Sequence, residues 1–97
     1  ICTTPGLDGV YIGPSDLAFS LGMAPIQDSQ EPRTLAAFDR IIAACRGAGI
    51  RAGVHTSSVA YAQQMITRGF DLVTVGADMR WLMTGRAEAA QMRTFLQ

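Results

Sequence analysis

In the stretch DGVYIGPSDLAFSLG, residues 8–22, an apolar run stops at Gly13-Pro14 and a single carboxylate, Asp16, follows. A helix beginning at this turn leaves the backbone N–H groups of Ser15 and Asp16 free in its first turn, where they bind carboxylate or phosphate. The Asp16 carboxylate beside them offers oxygen to a hard cation such as Mg2+ or Mn2+. One short stretch then holds the acid end of a substrate and the metal that activates it. The competing reading is that Asp16 only caps a helix and complements its dipole.

Other side chains with chemical potential are few. His55 is the sole histidine, which excludes a multi-histidine metal site within the chain. It either contacts substrate and moves a proton or is a hydrogen-bonded loop residue. Asp78, after TVGA, reads as the N-cap of a final helix. VGAD has the place of a late barrel phosphate loop, but its glycine content is thin and an acid repels phosphate. Ser57 and Ser58 have no acid–base partner nearby in sequence, and neither GxGxxG nor a P-loop occurs. Cys2 and Cys45, far apart and without a second pair, read as small buried or half-buried thiols in a reducing cytoplasm.

The elements that must position these residues alternate. Val10-Tyr11-Ile12 is a short β-favouring run closed by Gly-Pro. A short helix is expected over 16–21, ended by Gly22, and MAPIQDSQEP is an aperiodic loop. From Pro32, the residues Leu35, Phe38, Ile41, Ile42 and Cys45 share one helical face, and Gly47 and Gly49 stop it. A second strand is expected over 50–54, then serine N-caps, then a helix over 59–68 with Ala62, Met65 and Ile66 on one face and Gly69 as C-cap. The third strand centres on Leu72 to Val75. A last helix is expected from Met79, interrupted near Gly85 and resuming to Leu96, with Met79, Leu82 and Met83 filling core.

Short apolar strands separated by helices imply a parallel sheet. The fold class is therefore α/β: half of a doubly wound sheet, or three βα units of a (β/α)8 barrel. A closed barrel takes about 250 residues, and this chain has 97. In either architecture binding groups gather at the carboxyl ends of the strands. Residues 13–16, 55–58 and 76–78 qualify. ICTTPG reads as the tail of a helix running into a turn, so the chain is expected to begin partway through a larger protein.

Composition narrows the function classes. Eight basic and eight acidic side chains cancel and form no stripe, which argues against nucleic acid and anionic membranes as partners. With 48% hydrophobic residues the chain is globular, and no apolar run reaches membrane-spanning length.

PGLDGVYIGPSDLAFSLG, IIAACRGAGIRAGVHTSS and MITRGFDLVTVGADMRWL together resemble the last third of the HpcH/HpaI aldolases, across almost the whole chain. GxDGVxIGPxDL is the specific part. The resemblance implies a TIM barrel of which residues 1–97 are the last three βα units, incomplete alone and one domain with the rest. It implies a class II, pyruvate-forming aldolase acting on 4-hydroxy-2-oxo acids in aromatic or sugar acid catabolism. By that match Asp16 ligates a divalent cation (Mg2+, Mn2+ or Co2+), the Ser15 N–H binds the substrate carboxyl group, and Gly13 and Pro14 shape the turn. The family's ligating glutamate, catalytic histidine and arginine lie on earlier strands. No catalytic residue is thus expected in this chain, His55 does not inherit that role, and the isolated chain is expected to be inactive. The resemblance also implies a homo-oligomer, with residues 79–96 as a surface between subunits.

Two other readings stand beside it. Citrate lyase β-subunits and malyl-CoA lyases share the barrel and the metal–enolate logic, but the absence of a basic CoA-phosphate site favours free acids. A truncated, non-catalytic fragment or oligomerisation module would expose strand edges. Half of a response-regulator-like domain lacks the acids expected after its first strand.

Overall fold

Three strands and four helices alternate in the computed structural model, which describes residues 1–97. They are β1 (Gly9–Ile12), α1 (Pro14–Ser20), α2 (Pro32–Ala48), β2 (Arg51–Thr56), α3 (Val59–Arg68), β3 (Leu72–Val75) and α4 (Asp78–Leu96). The sheet order is β1-β2-β3, with both pairs parallel. Parallel neighbours need crossovers, which α2 and α3 supply. Tyr11 stands opposite Gly53, and His55 opposite Thr74.

Helices cover one face of the sheet only. Ile12, Ala52 and Val54 on that face pack with Phe38, Ile42 and Cys45 of α2, Tyr61 and Met65 of α3, and Phe70. Side chains alternate along a strand, so Tyr11, Gly53, His55, Leu72 and Thr74 share the opposite face, which no helix covers. In a (β/α)8 barrel the helices lie outside and the other face fills the interior. That places His55, Thr74 and Tyr11 on the inner side.

Local chemistry sets the helix ends. Pro32 occupies the first turn of α2, where its missing N–H costs nothing. Gly49 closes α2 with φ 72°, and Ile50 N–H donates to the Cys45 carbonyl. The Ser58 hydroxyl accepts from Tyr61 N–H at the start of α3. Arg68 of α3 donates to both carboxylate oxygens of Asp39 on α2, at 2.8 and 2.9 Å. Asp71 acts as an extension of the ladder: its carboxylate accepts from Ala52 N–H at 3.0 Å, and its own N–H donates to the Ala52 carbonyl.

Several expectations are corrected. The segment before β1 forms turns and holds no helix. The first helix starts at Pro14, because proline preorganises the first helical position. Gly47 does not stop α2; only Gly49 does, since a lone glycine weakens a helix without removing a donor. The second strand runs to Thr56, so His55 lies within it. Ile66 is 60% exposed, and Tyr61 takes its place on the buried face of α3.

The last helix departs most. It is continuous through Gly85 and buries no residue, and Met79, Leu82 and Met83 are exposed, not core. The physical reason lies in the crossover geometry. Each earlier long helix covers the strands on either side of it, α2 over β1 and β2, α3 over β2 and β3. The surface α4 would cover lies between β3 and a further strand, and this sheet has none beyond β3. The result is elongated, 61 × 27 × 23 Å with a radius of gyration of 17.1 Å, against roughly 12–13 Å for a compact chain of this length.

Candidate functional site

At the carboxyl end of β1, Gly13 precedes α1 as its N-cap, with φ −92° and no side-chain cap bond. Pro14 is buried, Ser15 half-buried and Asp16 exposed. The first main-chain bond of the helix runs from Leu17 N–H to the Gly13 carbonyl. The N–H groups of Ser15 and Asp16 therefore precede the helical ladder and have no partner within it. Asp16 makes no salt bridge or hydrogen bond: the ion pairs of the chain are Arg33–Glu31, Arg51–Asp71 and Arg68–Asp39. Its carboxylate lies over Gly13, where a Cβ would stand 3.1 Å from Oδ2. Glycine thus leaves the cradle that the carboxylate occupies. The Ser15 hydroxyl is engaged, accepting from Gln27 Nε2 at 2.7 Å.

The residues 21–31 between α1 and α2 link this turn to the next strand end. Beyond the Gln27–Ser15 bond, Asp28 adopts a left-handed backbone, φ 51°, and its Oδ1 accepts from Ser57 N–H at 2.8 Å. The buried Tyr61 hydroxyl donates to the Ser29 carbonyl at 2.5 Å. Burial, aided by the nearby Asp28 charge and opposed by Arg68, raises the Tyr61 pKa above its ordinary 10.0. Gln30 and Gln64 exchange two hydrogen bonds, each Nε2 donating to the other's Oε1.

On the inner face, the Thr74 hydroxyl joins two side chains. Tyr11 Oη lies 2.5 Å from Thr74 Oγ1, and His55 Nδ1 lies 3.0 Å from the same oxygen. A hydroxyl accepts twice and donates once, so one oxygen holds both rings. Sequence reading missed Tyr11, Thr74 and Asp28. Strand alternation carries a signal for the first two once the register is known; the left-handed Asp28 carries none.

At the end of β3, Gly76 has φ 73° and donates to the Thr56 carbonyl. Asp78 is not the N-cap of α4. Ala77 is, and Asp78 is the first helical residue, its carboxylate accepting from Met79 N–H. Arg80 donates to the Ser57 carbonyl. Of the residues singled out by sequence, Asp16, His55 and Asp78 do not form a three-ligand cluster, and no three potential metal ligands cluster in this chain. The structure instead brings together Cys2 and Cys45.

Comparison with known proteins bears on the chain as a whole. A sequence profile described as HpcH/HpaI aldolase/citrate lyase matches residues 1–84. The chain belongs to this family. A hydroxypyruvate/pyruvate aldolase of Paraburkholderia phytofirmans is 40% identical over 91 residues, covering 94% of this chain and 34% of the relative. A 4-hydroxy-2-oxo-heptane-1,7-dioate aldolase of Salmonella paratyphi B is 37% identical over 93 residues, 96% of this chain and 34% of the relative. The crystal structure of an HpcH/HpaI aldolase/citrate lyase family protein from Burkholderia cenocepacia superposes with a TM-score of 0.79 at 35% identity, over 96% of this chain and 35% of that one. The chain thus spans about a third of the length of the curated relatives it matches. Its fold is three βα units of the family's TIM barrel.

Proposed function

We propose that the protein carrying this segment is a metal-dependent aldolase that cleaves a 4-hydroxy-2-oxo acid to pyruvate and an aldehyde, with residues 1–97 forming part of a single barrel domain. The observation that carries this reading is the Asp16 carboxylate, exposed, without a cationic partner, at the carboxyl end of β1 beside two free N–H groups. The names of the relatives, a hydroxypyruvate/pyruvate aldolase and a 4-hydroxy-2-oxo-heptane-1,7-dioate aldolase, support the substrate class.

Asp16 suits a divalent cation on chemical grounds. Its oxygens are hard donors, and Mg2+ is commonly held by one or two carboxylates together with substrate and water. The glycine cradle keeps room for that carboxylate. When bound, the cation (Mg2+, Mn2+ or Co2+) stabilises the negative charge that develops on the keto oxygen as the carbon–carbon bond breaks. Ser15 and Asp16 offer their N–H groups to the substrate carboxylate, which orients the 2-oxo acid against Asp16. Gly13 and Pro14 fix the turn. Loss of the aldol hydroxyl proton needs a base, and His55, with Nδ1 engaged by Thr74, is not assigned that step.

Membership of the family supports a homo-oligomer with residues 79–96 as a surface between subunits, and two free thiols suit a cytoplasmic setting. No helix is long and apolar enough to cross a membrane.

The test is a retro-aldol assay of the full-length protein, with pyruvate release coupled to lactate dehydrogenase. Activity is expected to need added Mg2+, Mn2+ or Co2+ and to fall at least about 100-fold in Asp16→Asn. Full activity of that variant, or in excess EDTA, refutes the reading. Cleavage of malyl-CoA without cleavage of a hydroxy-oxo acid assigns the parent to the acyl-CoA lyases instead. The 97-residue chain alone is expected to release no pyruvate.

A further inference from the structure

Cys2 and Cys45 stand 43 positions apart in sequence, yet their Sγ atoms lie 3.9 Å from each other. Both are free thiols. Cys45 sits on the buried face of α2 at 1% exposure, within the core that includes Phe38 and Ile42. Cys2 is half-buried in the turn segment ahead of β1. The main-chain bonds of residues 1–7, Thr4 to Ile1 and Leu7 to Thr4, stay within that segment. A disulfide requires sulfurs about 2.05 Å apart, so closure takes roughly 2 Å of movement. The turn segment can supply it without breaking the sheet.

Access favours the same residue. Cys2 lines an open groove of about 330 Å³ with Leu17, Leu21, Ile41 and Arg40. The groove admits a small oxidant, and the Arg40 guanidinium offers a cation to an anionic one. Cys45 does not line it.

We propose that Cys2 and Cys45 form a reversible dithiol–disulfide site that reacts with a low-molecular-weight anionic disulfide such as oxidised glutathione. The Cys2 thiolate attacks one sulfur of the oxidant, whose S–S bond breaks and releases a glutathione thiolate. Cys45 then loses its proton to water and attacks Cys2 Sγ, expelling the second glutathione thiolate. Two protein thiols lose two electrons and two protons; the oxidant gains them as two thiols. Burial, then the adjacent Cys2 sulfur and the Asp71 charge, push the Cys45 thiol above its ordinary value. Cys45 is accordingly the resolving thiol and not the first attacker. The bond staples the segment before β1 onto α2, enclosing β1, the Gly13–Asp16 turn and α1.

The experiment equilibrates the full-length protein in glutathione redox buffers, quenches with acid, and reads intact mass and tryptic peptides. A monomer lighter by about 2 Da is expected, with the tryptic peptide that contains Cys2 and ends at Arg33 linked to peptide 41–46. The native chain should hold the bond against at least about 100-fold more reduced glutathione than the same chain in about 6 M guanidinium, because only the fold brings the thiols together. The oxidised chain should melt roughly 10 °C higher. Cys2→Ser lies outside the core and should abolish the mass loss with an unchanged circular dichroism spectrum. No mass loss, a persistent glutathione adduct, a disulfide-linked dimer, or a bond equally stable in denaturant each overturns the proposal. None of these readouts depends on aldolase activity, so its outcome is separate from that of the proposed function.

Discussion

Replacing Phe38 with alanine tests whether the α2–sheet contact is what holds these βα units together. The ring is 0% exposed and meets Phe70 edge to face, centroids 5.6 Å apart at 81°. Truncating a buried phenylalanine costs about 3–5 kcal/mol in transfer and cavity terms, of which the aromatic pair accounts for about 0.5–1.5. A chain of 97 residues has a total stability of about 5–15 kcal/mol by ordinary scaling. With only 16 residues buried, this one belongs at the low end. At a urea slope of about 1 kcal/mol per molar for this size, Phe38→Ala lowers the unfolding midpoint by about 3 M or more, leaving about 0–2 kcal/mol of stability in water. Phe38→Leu keeps most of the volume and should cost less than about 1.5 kcal/mol. Urea titrations followed by far-UV circular dichroism measure both. A Phe38→Ala midpoint within about 1 M of the parent's would refute the reasoning, because the ring could not then be the packed centre of the sheet–helix interface.

Three further outcomes are expected. Gly13→Ala places a methyl group 3.1 Å from Asp16 Oδ2 at a φ of −92° that alanine tolerates; Mn2+ affinity of the full-length protein, read by paramagnetic relaxation, should drop several-fold with no change in circular dichroism. Asp71→Ala strips the buried Ala52 N–H of its acceptor and should cost about 1–3 kcal/mol, whereas Asp71→Asn retains an acceptor oxygen and should cost less; equal losses in urea titrations would argue against the ladder role. Because burial raises the Tyr61 pKa above 10.0, the unfolded chain deprotonates first. The Tyr61 contribution is therefore complete below about pH 10 and lost as pH rises through the folded-state value. Unfolding free energies measured between pH 8 and 11 should fall at the top of that range, and Tyr61→Phe should flatten the fall.

What the residues determined by themselves is the alternation. Short β-branched strands, a helix face of Phe38, Ile42 and Cys45, the Ser58 cap and the Gly49 and Gly69 stops are local signals. They act through period, hydroxyls and left-handed backbone, and they are legible wherever the partners lie within a few positions. The Gly13–Asp16 turn was legible for the same reason: proline and glycine bracket it and a carboxylate follows.

Tertiary structure decided everything that depends on which strands are neighbours. Register sets His55 beside Thr74 and Tyr11 opposite Gly53. The crossover puts Cys2 against Cys45, and the loop before α2 carries Asp28 to Ser57. Most decisively, the methionines of α4 look like core in one dimension, yet remain exposed because a helix buries its apolar side only where two adjacent strands lie beneath it, and β3 is the edge of this sheet.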